Sequence, residues 1–287
     1  MLSRREAILL AIEGGVVASV RGASRRGARV GLQLFSVRKQ CQASLPKTLS
    51  TIAEIGFEGV ELAGYYGHQP AEIRQLLADC GLTCCGAHVP FDFLTEQRRS
   101  RTLDFHEALG NSSLVIPGLP SAMTTGADDW VRIARTLTDI SQALQRRGMC
   151  LGYHNHAVEF CGEPGSRPWD LLFNNTDRSV FVELDLGNAG YAGADPIAAL
   201  TRYPGRVRMV HVKDYTADKP DVTIGEGNMD WRKFFPVCAN IAGTEWFVIE
   251  HDSDPAAGLS DIAEQLRRFR QKRDCSEWLK SGIAGHS

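Results

Sequence analysis

Histidine, acidic and lysine side chains are concentrated in four short segments in the second half of this 287-residue chain. Each segment is otherwise rich in Val, Leu and Ile, as expected for a strand that is buried on both faces. Charged groups in such a strand cost free energy unless they are paired or bind a metal ion. They are therefore candidates for a functional site. These residues are His154, His156 and Glu159; Glu183 and Asp185; His211 and Lys213; and Glu250 and Asp252.

The alternation of residues within these segments predicts which side chains lie together, because successive strand residues point to opposite faces. Carboxylates that converge in a low-dielectric site repel one another and cannot all stay ionised without a cation. Carboxylates combined with an imidazole suit Mn²⁺, Mg²⁺, Co²⁺ or Zn²⁺, and the absence of Cys from the set argues against a structural zinc site. The sequence thus predicts one divalent metal ion. The pairs expected to share a face are Glu183 with Asp185, His211 with Lys213, and Glu250 with Asp252.

Three earlier segments add one polar residue each: Gln33, Glu61 and His88. Any one of these alone is as easily explained as a hydrogen-bonded core residue. Together with the later set, they predict a polar pocket at one end of the molecule, in which these three side chains contact a substrate.

The elements that position these residues repeat one pattern from Arg29 onward: a β-rich segment, a polar turn and a helical stretch. The strand starts are spaced by roughly 25 to 40 residues, the length of a βα unit in a barrel. The predicted strands are Val30–Phe35, Gly59–Leu62, Thr83–His88, Ser113–Ile116, Met149–His154, Val180–Asp185, Val207–Lys213 and Trp246–His251. The most clearly amphipathic helices are predicted at Leu45–Ile55, Ala71–Cys80, Trp130–Arg147 and Ala256–Arg273.

Eight such units in one chain predict an α/β fold, a single-domain (β/α)8 TIM barrel. The competing architecture, a doubly wound open sheet, usually has a Gly-rich phosphate loop after its first strand. The segment LFSVR (34–38) contains no such loop. The barrel is assigned to residues 28–273.

The two ends of the chain differ from this pattern. Residues 1–27 contain Arg4 and Arg5, followed by a mostly apolar stretch that Glu13 interrupts. This order is typical of a twin-arginine-type signal, although a leading amphipathic helix is the alternative. The protein is expected to be exported, or periplasmic, if the signal works, and cytoplasmic otherwise. Residues 274–287 are predicted to be a short extension, which docks on a neighbouring subunit in a homo-oligomer or frays.

The composition excludes several classes of protein. The 32 basic and 34 acidic residues give a net charge of −2, whereas a nucleic-acid-binding protein is expected to carry a basic surplus. Eight cysteines in 287 residues are too few for a disulfide scaffold. No apolar segment approaches the roughly 20 residues that a membrane span needs. These exclusions leave a small molecule as the expected partner.

Seven segments resemble the sugar phosphate isomerase/epimerase family, which has a xylose isomerase-like TIM barrel. The resemblance covers about residues 29–272, and the YHNHxxEF, DxGN and HVKD motifs in this order make it specific. The segments are GLQLFSVR (31–38), GFEGVELAG (56–64), LGYHNHAVEF (151–160), VELDLGNAGYAG (182–193), VRMVHVKDY (207–215), IGEGNMDW (224–231) and FVIEHDS (247–253).

The resemblance implies a set of metal ligands, which are Glu159, Asp185, His211 and Glu250. Many relatives place the first of these carboxylates directly in strand five, where this chain has His154 and, just after it, His156, so either histidine is an alternative ligand. Relatives that act on keto sugars often have a His at the position of Asn188, which is expected here to bind a substrate hydroxyl.

The activity implied is isomerisation or epimerisation of a sugar or keto sugar through a metal-stabilised enediolate. Glu159 or Glu250 is expected to exchange the proton, with His156, His154 or His88 as the mobile acid or base and Lys213 on a substrate oxygen. Glu226, in a Gly-Glu-Gly turn or lid, is a further candidate substrate contact. Since cationic residues are few at the site, unphosphorylated sugars, keto sugars or glycosides are favoured over sugar phosphates.

Three alternatives remain. The first is a metal-dependent lyase or dehydratase that acts on a 3-keto-glycoside or an inositol-derived ketone. The second is a sugar-binding barrel without catalysis. The third, a metal-cluster nuclease, is disfavoured by the net charge of −2 and by only eight histidines.

Overall fold

A computed structural model describes residues 27–251 and 258–275 of the protein. In these ranges eight parallel strands form a closed barrel in the order β1 to β8, with β8 paired to β1. The predicted (β/α)8 fold is confirmed. The strands are β1 (Arg29–Gln33), β2 (Gly59–Leu62), β3 (Thr83–His88), β4 (Ser113–Ile116), β5 (Cys150–His154), β6 (Val180–Asp185), β7 (Met209–Val212) and β8 (Trp246–Ile249).

Helices cover the outside of this barrel and connect its strands. In the described ranges they are α1 (Arg38–Ile55), α2 (Pro70–Asp79), α3 (Glu96–Leu109), α4 (Ala127–Gln145), α5 (Pro168–Asn175), α6 (Leu186–Tyr191), α7 (Pro196–Arg202), α8 (Trp231–Val237) and α9 (Gly258–Asp274). None of the described helices is long and apolar enough to span a membrane. Residues 1–26 of the predicted leader, Asp252, and residues 276–287 of the predicted extension lie outside the described ranges.

The predicted strands β2, β3, β4 and β6 have the observed bounds, whereas β1 and β8 end two residues earlier than predicted and β7 ends one residue earlier. The chain leaves the barrel wall at these points. After β1, for example, Leu34–Val37 forms a 3₁₀ turn that begins where the Gln33 side chain accepts a hydrogen bond from Phe35 N. As a result, Lys213 and Glu250 lie just beyond their strands, at the rim of the barrel mouth.

The inside of the barrel changes from apolar at its amino end to polar at its carboxyl end. Phe181, Met209 and Trp246 pack together at the amino end. Glycines on neighbouring strands leave room for these side chains: a Cβ on Gly152 would lie 2.4 Å from the Phe181 ring, and one on Gly59 would lie 2.7 Å from Trp246. This packed layer closes the barrel below, so the polar residues line a pocket that opens at one end only.

His106 on α3 is a buried histidine of the outer core, outside the polar pocket. Asn111 Nδ2 donates to its Nδ1 at 3.1 Å, and Tyr65 Oη lies 3.0 Å from its Nε2. Because Nδ1 faces a donor, a second proton on the ring has no acceptor. Burial lowers the pKa of His106 from 6.5 to about 4.

This environment predicts a pH-dependent loss of stability. Below pH 6.5 the unfolded chain binds a proton on this imidazole that the folded chain does not bind, so unfolding becomes easier as the pH falls toward 4. Between pH 7 and pH 5 this histidine should remove about 2 kcal/mol from the free energy of unfolding. Urea unfolding of wild type and His106→Gln at both pH values measures this loss. The contributions of the other titrating groups are the same in both proteins and cancel when the two pH dependences are subtracted. An equal pH dependence in both proteins would contradict this account.

Candidate active site

The polar side chains meet at the carboxyl end of the barrel, where active sites of this fold lie. They occupy two layers. The inner layer comprises Gln33, Glu61, His88, His154, Glu183 and His211, and the outer layer comprises Asp185, Lys213 and Glu250. Glu183 and Asp185 were predicted to lie on one face of their strand, as were His211 and Lys213, and the structure agrees: all four side chains point into the pocket. All of these side chains are buried except His88, which is 13% exposed.

Glu183 is the centre of the inner layer and is fully buried. Three imidazole nitrogens surround its Oε2 atom: His88 Nε2 at 2.8 Å, His154 Nδ1 at 3.1 Å and His211 Nε2 at 3.3 Å. Burial opposes ionisation of this carboxyl group, but the charge of His211 and the hydrogen bonds of the histidines prevail and hold the pKa of Glu183 well below its usual range. The sequence alternation placed Glu183 in the pocket, although no role was predicted for it.

Glu61 fixes the orientation of His211. Its Oε2 accepts a hydrogen bond from Gln33 Nε2 at 2.8 Å and lies 2.7 Å from His211 Nε2. Burial, and next the charge of Glu183, raise the pKa of Glu61 to about 7. Gln33 and Glu61, predicted as substrate contacts, thus form part of the support beneath the mouth. An imidazole that donates one N–H to a carboxylate presents its other nitrogen in a defined direction.

The outer layer brings two carboxylates and a lysine to the mouth. His211 Nδ1 lies 2.7 Å from Glu250 Oε2, while Lys213 Nζ lies 3.2 Å from Asp185 Oδ2 and 3.1 Å from Glu250 Oε2. Burial raises the pKa of Asp185. For Glu250 burial is outweighed by the charges of Lys213 and His211, which hold its pKa well below the usual range.

The potential metal-ligand atoms converge in this mouth. His154, Asp185, His211 and Glu250 each offer one ligand atom, and these four atoms lie within 4.8 Å of one another. A second, deeper group in the described residues consists of His88, His154, Glu183 and His211. The two groups share His154 and His211. Three of the four residues expected as ligands, Asp185, His211 and Glu250, are therefore brought together.

The chemistry of these donors fits a divalent cation. Glu61 Oε1 and Glu183 Oε1 are buried without a hydrogen-bond partner, and Asp185 Oδ2 has only the neighbouring Lys213 ammonium. Four carboxylates thus share one lysine, so the pocket has an excess of buried negative charge unless protons or a cation balance it. Burial lowers the pKa of His154 to about 3, which keeps a ring lone pair available at neutral pH. A set of nitrogen and oxygen donors suits Mn²⁺, Mg²⁺, Co²⁺ or Zn²⁺.

Glu159, expected as the fourth ligand, does not belong to either group of converging atoms. Its two oxygens already accept hydrogen bonds from this chain: Oε1 from Tyr153 Oη at 2.7 Å and Oε2 from His156 N at 2.8 Å. The fourth position in the group is occupied by His154, the alternative that the strand-five sequence offered. The turn after β5 thus directs Glu159 toward Tyr153, and the role of Glu159 as a metal ligand stays a prediction.

Two asparagines hold Asp185 in place. Asn155 Oδ1 accepts from the Asp185 amide at 2.8 Å, and Asn155 Nδ2 donates to the Asp185 carbonyl at 3.2 Å. The Asn188 amide donates to Asp185 Oδ1 at 2.7 Å, and its side chain donates to the Asn155 carbonyl at 3.2 Å. Asn188, predicted to contact substrate, is thus engaged in positioning Asp185. Asn155 was missed, and the only signal for it is its place between two site histidines.

Glu226 lies outside the polar pocket, contrary to its predicted role. Its side chain is exposed and pairs with Arg268 on α9 at 2.9 Å. The loop that carries it is fixed by the fully buried Asp214, which accepts hydrogen bonds from Gly225 N at 2.8 Å and Met229 N at 3.1 Å. The Gly-Glu-Gly segment is therefore an anchored turn, and Asp214, the last residue of the HVKD motif, was missed as its anchor.

His156 lies just after β5 and is exposed, although one edge of its ring packs against the pocket. Its ring stands edge-on to the His154 ring, with the ring centroids 5.2 Å apart. Burial lowers its pKa, so this imidazole is neutral at pH 7. His156 also lines a cavity over the loops that follow β3 and β4.

Known proteins resemble this chain over most of its length. Inosose dehydratase from Klebsiella pneumoniae is 26% identical over 263 residues, covering 77% of this chain and 87% of the relative. Inosose dehydratase from Clostridium beijerinckii is 24% identical over 267 residues, covering 79% and 89%. A sugar phosphate isomerase/epimerase from Parabacteroides distasonis superposes with a TM-score of 0.73 at 21% identity, covering 88% of this chain and 96% of the other.

The sequence model of the xylose isomerase-like TIM barrel matches residues 49–272, which is most of the chain. This match includes β2 to β8 and eight of the nine residues of the two layers. The chain belongs to the xylose isomerase-like TIM barrel family.

Proposed function

We propose that this protein is a divalent-metal-dependent enzyme that removes a proton from the carbon next to the carbonyl group of a sugar-like polyhydroxy ketone. The observation that carries the proposal is the convergence of ligand atoms from His154, Asp185, His211 and Glu250 at the barrel mouth. The buried carboxylate oxygens without a partner support it, since an ion would satisfy them. A bound ion would supply Lewis-acid stabilisation for the negative charge of the resulting enediolate.

The residues of the mouth have different chemical roles in this proposal. Glu250 is ionised at neutral pH and accepts the proton from the substrate carbon. Lys213, whose pKa stays above its ordinary value because Asp185 and Glu250 outweigh its burial, donates hydrogen bonds to a substrate oxygen. The imidazole of His156, neutral at pH 7, takes up a proton or donates a hydrogen bond to a substrate oxygen. His88 remains the third candidate for this role, because it is the most exposed residue of the inner layer.

The fate of the enediolate distinguishes an isomerase or epimerase from a lyase. Epimerisation at one carbon requires proton delivery to the opposite face, which two equivalent carboxylates would provide. Here the strand-five carboxylate, Glu159, is held by Tyr153 and His156, and histidines replace it. A single carboxylate base suits elimination of a hydroxyl or alkoxyl group next to the enediolate, because the proton that Glu250 removes can leave with that group as water or an alcohol. The likeness to two inosose dehydratases also favours this second candidate, a dehydratase or lyase.

Metal analysis tests the proposal first. We expect about one divalent ion per purified chain, and its loss in Asp185→Ala and in His211→Ala. Glu226→Gln is the matched control, since Glu226 pairs with Arg268 outside the pocket and its loss should leave the metal content unchanged. Absence of metal, with no rise in melting temperature on adding Mn²⁺, Co²⁺ or Zn²⁺, would contradict the proposal and favour a sugar-binding barrel without catalysis.

Incubation in deuterated water then identifies the reaction. An inosose, ketohexoses and 3-keto glycosides are offered to the metal-loaded protein. Deuterium on the carbon next to the carbonyl, with the carbon skeleton and hydroxyl groups retained, indicates isomerisation or epimerisation. Loss of water or of an alcohol with a new absorbance of a conjugated ketone indicates elimination.

A further inference from the structure

A cavity of about 640 Å³ lies beside the candidate metal site, over the loops that follow β3, β4 and β5. Its volume is within the range of small-molecule binding sites. All of its lining residues come from these three loops, so the cavity lies to one side of the barrel mouth. Its wall is largely apolar, and the apolar residues are Pro90, Phe91, Pro117, Leu119, Pro120 and Val158.

The cavity adjoins the candidate metal site through His156. His156 and Glu159 also line it, and the His156 ring contacts the His154 ring edge-on. A molecule whose carbonyl group lies at the mouth therefore reaches the cavity with a substituent a few bonds away.

The charges around the cavity indicate the chemistry of that substituent. Among the residues that line it, no Lys or Arg is present, and the acidic residues are Asp92 and Glu159. Asp92 is paired with Arg98, and Glu159 is held by Tyr153 and His156. The cavity thus offers no cation for a phosphate or carboxylate group. Val158, at the apolar wall of the cavity, is 57% exposed.

We infer that this cavity binds an apolar, ring-bearing substituent of the substrate, namely the aromatic aglycone of a glycoside. The inference rests on the proposed function and names its substrate class: the polyhydroxy ketone lies at the metal site, and the aglycone lies against Phe91, Leu119 and Val158. A free sugar would leave these apolar surfaces in water, whereas an aromatic ring buries them.

Paired ligands test the inference. The probes are methyl and phenyl glycosides of glucose and galactose, both anomers of each, together with their 3-keto forms. Isothermal titration of the Mn²⁺-loaded protein measures their dissociation constants. We expect at least one phenyl member to bind about tenfold tighter than its methyl partner, because the ring removes apolar surface from water. Equal affinities in every pair, or no binding of any phenyl glycoside, would overturn the inference.

Variants establish where the ring binds. Val158→Asp places a charge at the apolar wall and should reduce the phenyl preference to less than about threefold. Leu119→Ser should reduce it as well, and circular dichroism checks the folding of both variants. Ile241→Asp is the matched control, because Ile241 is 40% exposed and does not line the cavity. A phenyl preference that persists in both cavity variants would contradict the assignment of the ring to this cavity.

The inference and the proposed function fail in different ways. Proton exchange on keto sugars without any phenyl preference leaves the metal chemistry intact and removes the aglycone site. A phenyl preference that depends on Val158, in a protein that binds no metal and exchanges no protons, keeps the cavity assignment and removes the proposed function.

Discussion

Glu250→Gln is expected to lower kcat/KM for proton exchange by about 10³-fold or more, since the amide cannot accept the substrate proton. Glu250 lies at the carboxyl end of β8, 2.7 Å from His211 Nδ1 and 3.1 Å from Lys213 Nζ. The substitution preserves size and shape, so the fold should persist. It also removes a negative charge from the ligand group, which should weaken metal binding.

Steady-state kinetics at saturating Mn²⁺ separate the two effects of this substitution. Glu226→Gln is the control, because it makes the same chemical change on a side chain that pairs with Arg268 on α9. Its kcat/KM should stay within about twofold of wild type, as is usual for an exposed ion pair away from the reacting groups. A Glu250→Gln enzyme that keeps activity within tenfold at saturating metal would show that another residue accepts the proton.

Arg206→Met is expected to produce the largest loss of stability, about 4 kcal/mol or more in the free energy of unfolding. Arg206 is buried at the amino end of the barrel, where its guanidinium donates to four backbone carbonyls. Burial lowers its pKa to about 10, so it remains charged at neutral pH. Methionine fills a similar volume but leaves these acceptors without donors. The carbonyls belong to Phe173, Thr176, Asp177 and Val180.

Arg208, two residues further along the chain, gives the matched control for this prediction. Its side chain is 30% exposed and forms a bidentate pair with Glu245, with distances of 2.9 and 3.0 Å. Arg208→Met should therefore cost less than about 1 kcal/mol. Urea unfolding of both variants at pH 7 measures the difference. Similar losses in the two proteins would indicate that the carbonyl contacts of Arg206 contribute little.

Periodicity in the sequence determined the fold and the faces of the site-bearing strands. Buried parallel strands must be apolar, so the polar residues of β6 and β7 stood out, and the two-residue repeat put Glu183 with Asp185 and His211 with Lys213. The structure places these four in the pocket. Such predictions succeed because they depend only on local backbone geometry and on the closure of the barrel.

Only the tertiary structure decided which of the candidate carboxylates come together at the barrel mouth. Glu250 directly follows β8, whereas Glu159 and Glu226 lie in the loops after β5 and β7, and the sequence does not show whether those loops bring them into the mouth. Tyr153 and the His156 amide engage Glu159, while Arg268 on α9 engages Glu226. A carboxylate adopts the rotamer that gives it the best donors, and those donors come from turns and from a distant helix. Sequence therefore determined the barrel and the direction of its strand residues, whereas the loops determined which carboxylates stay free to bind a cation.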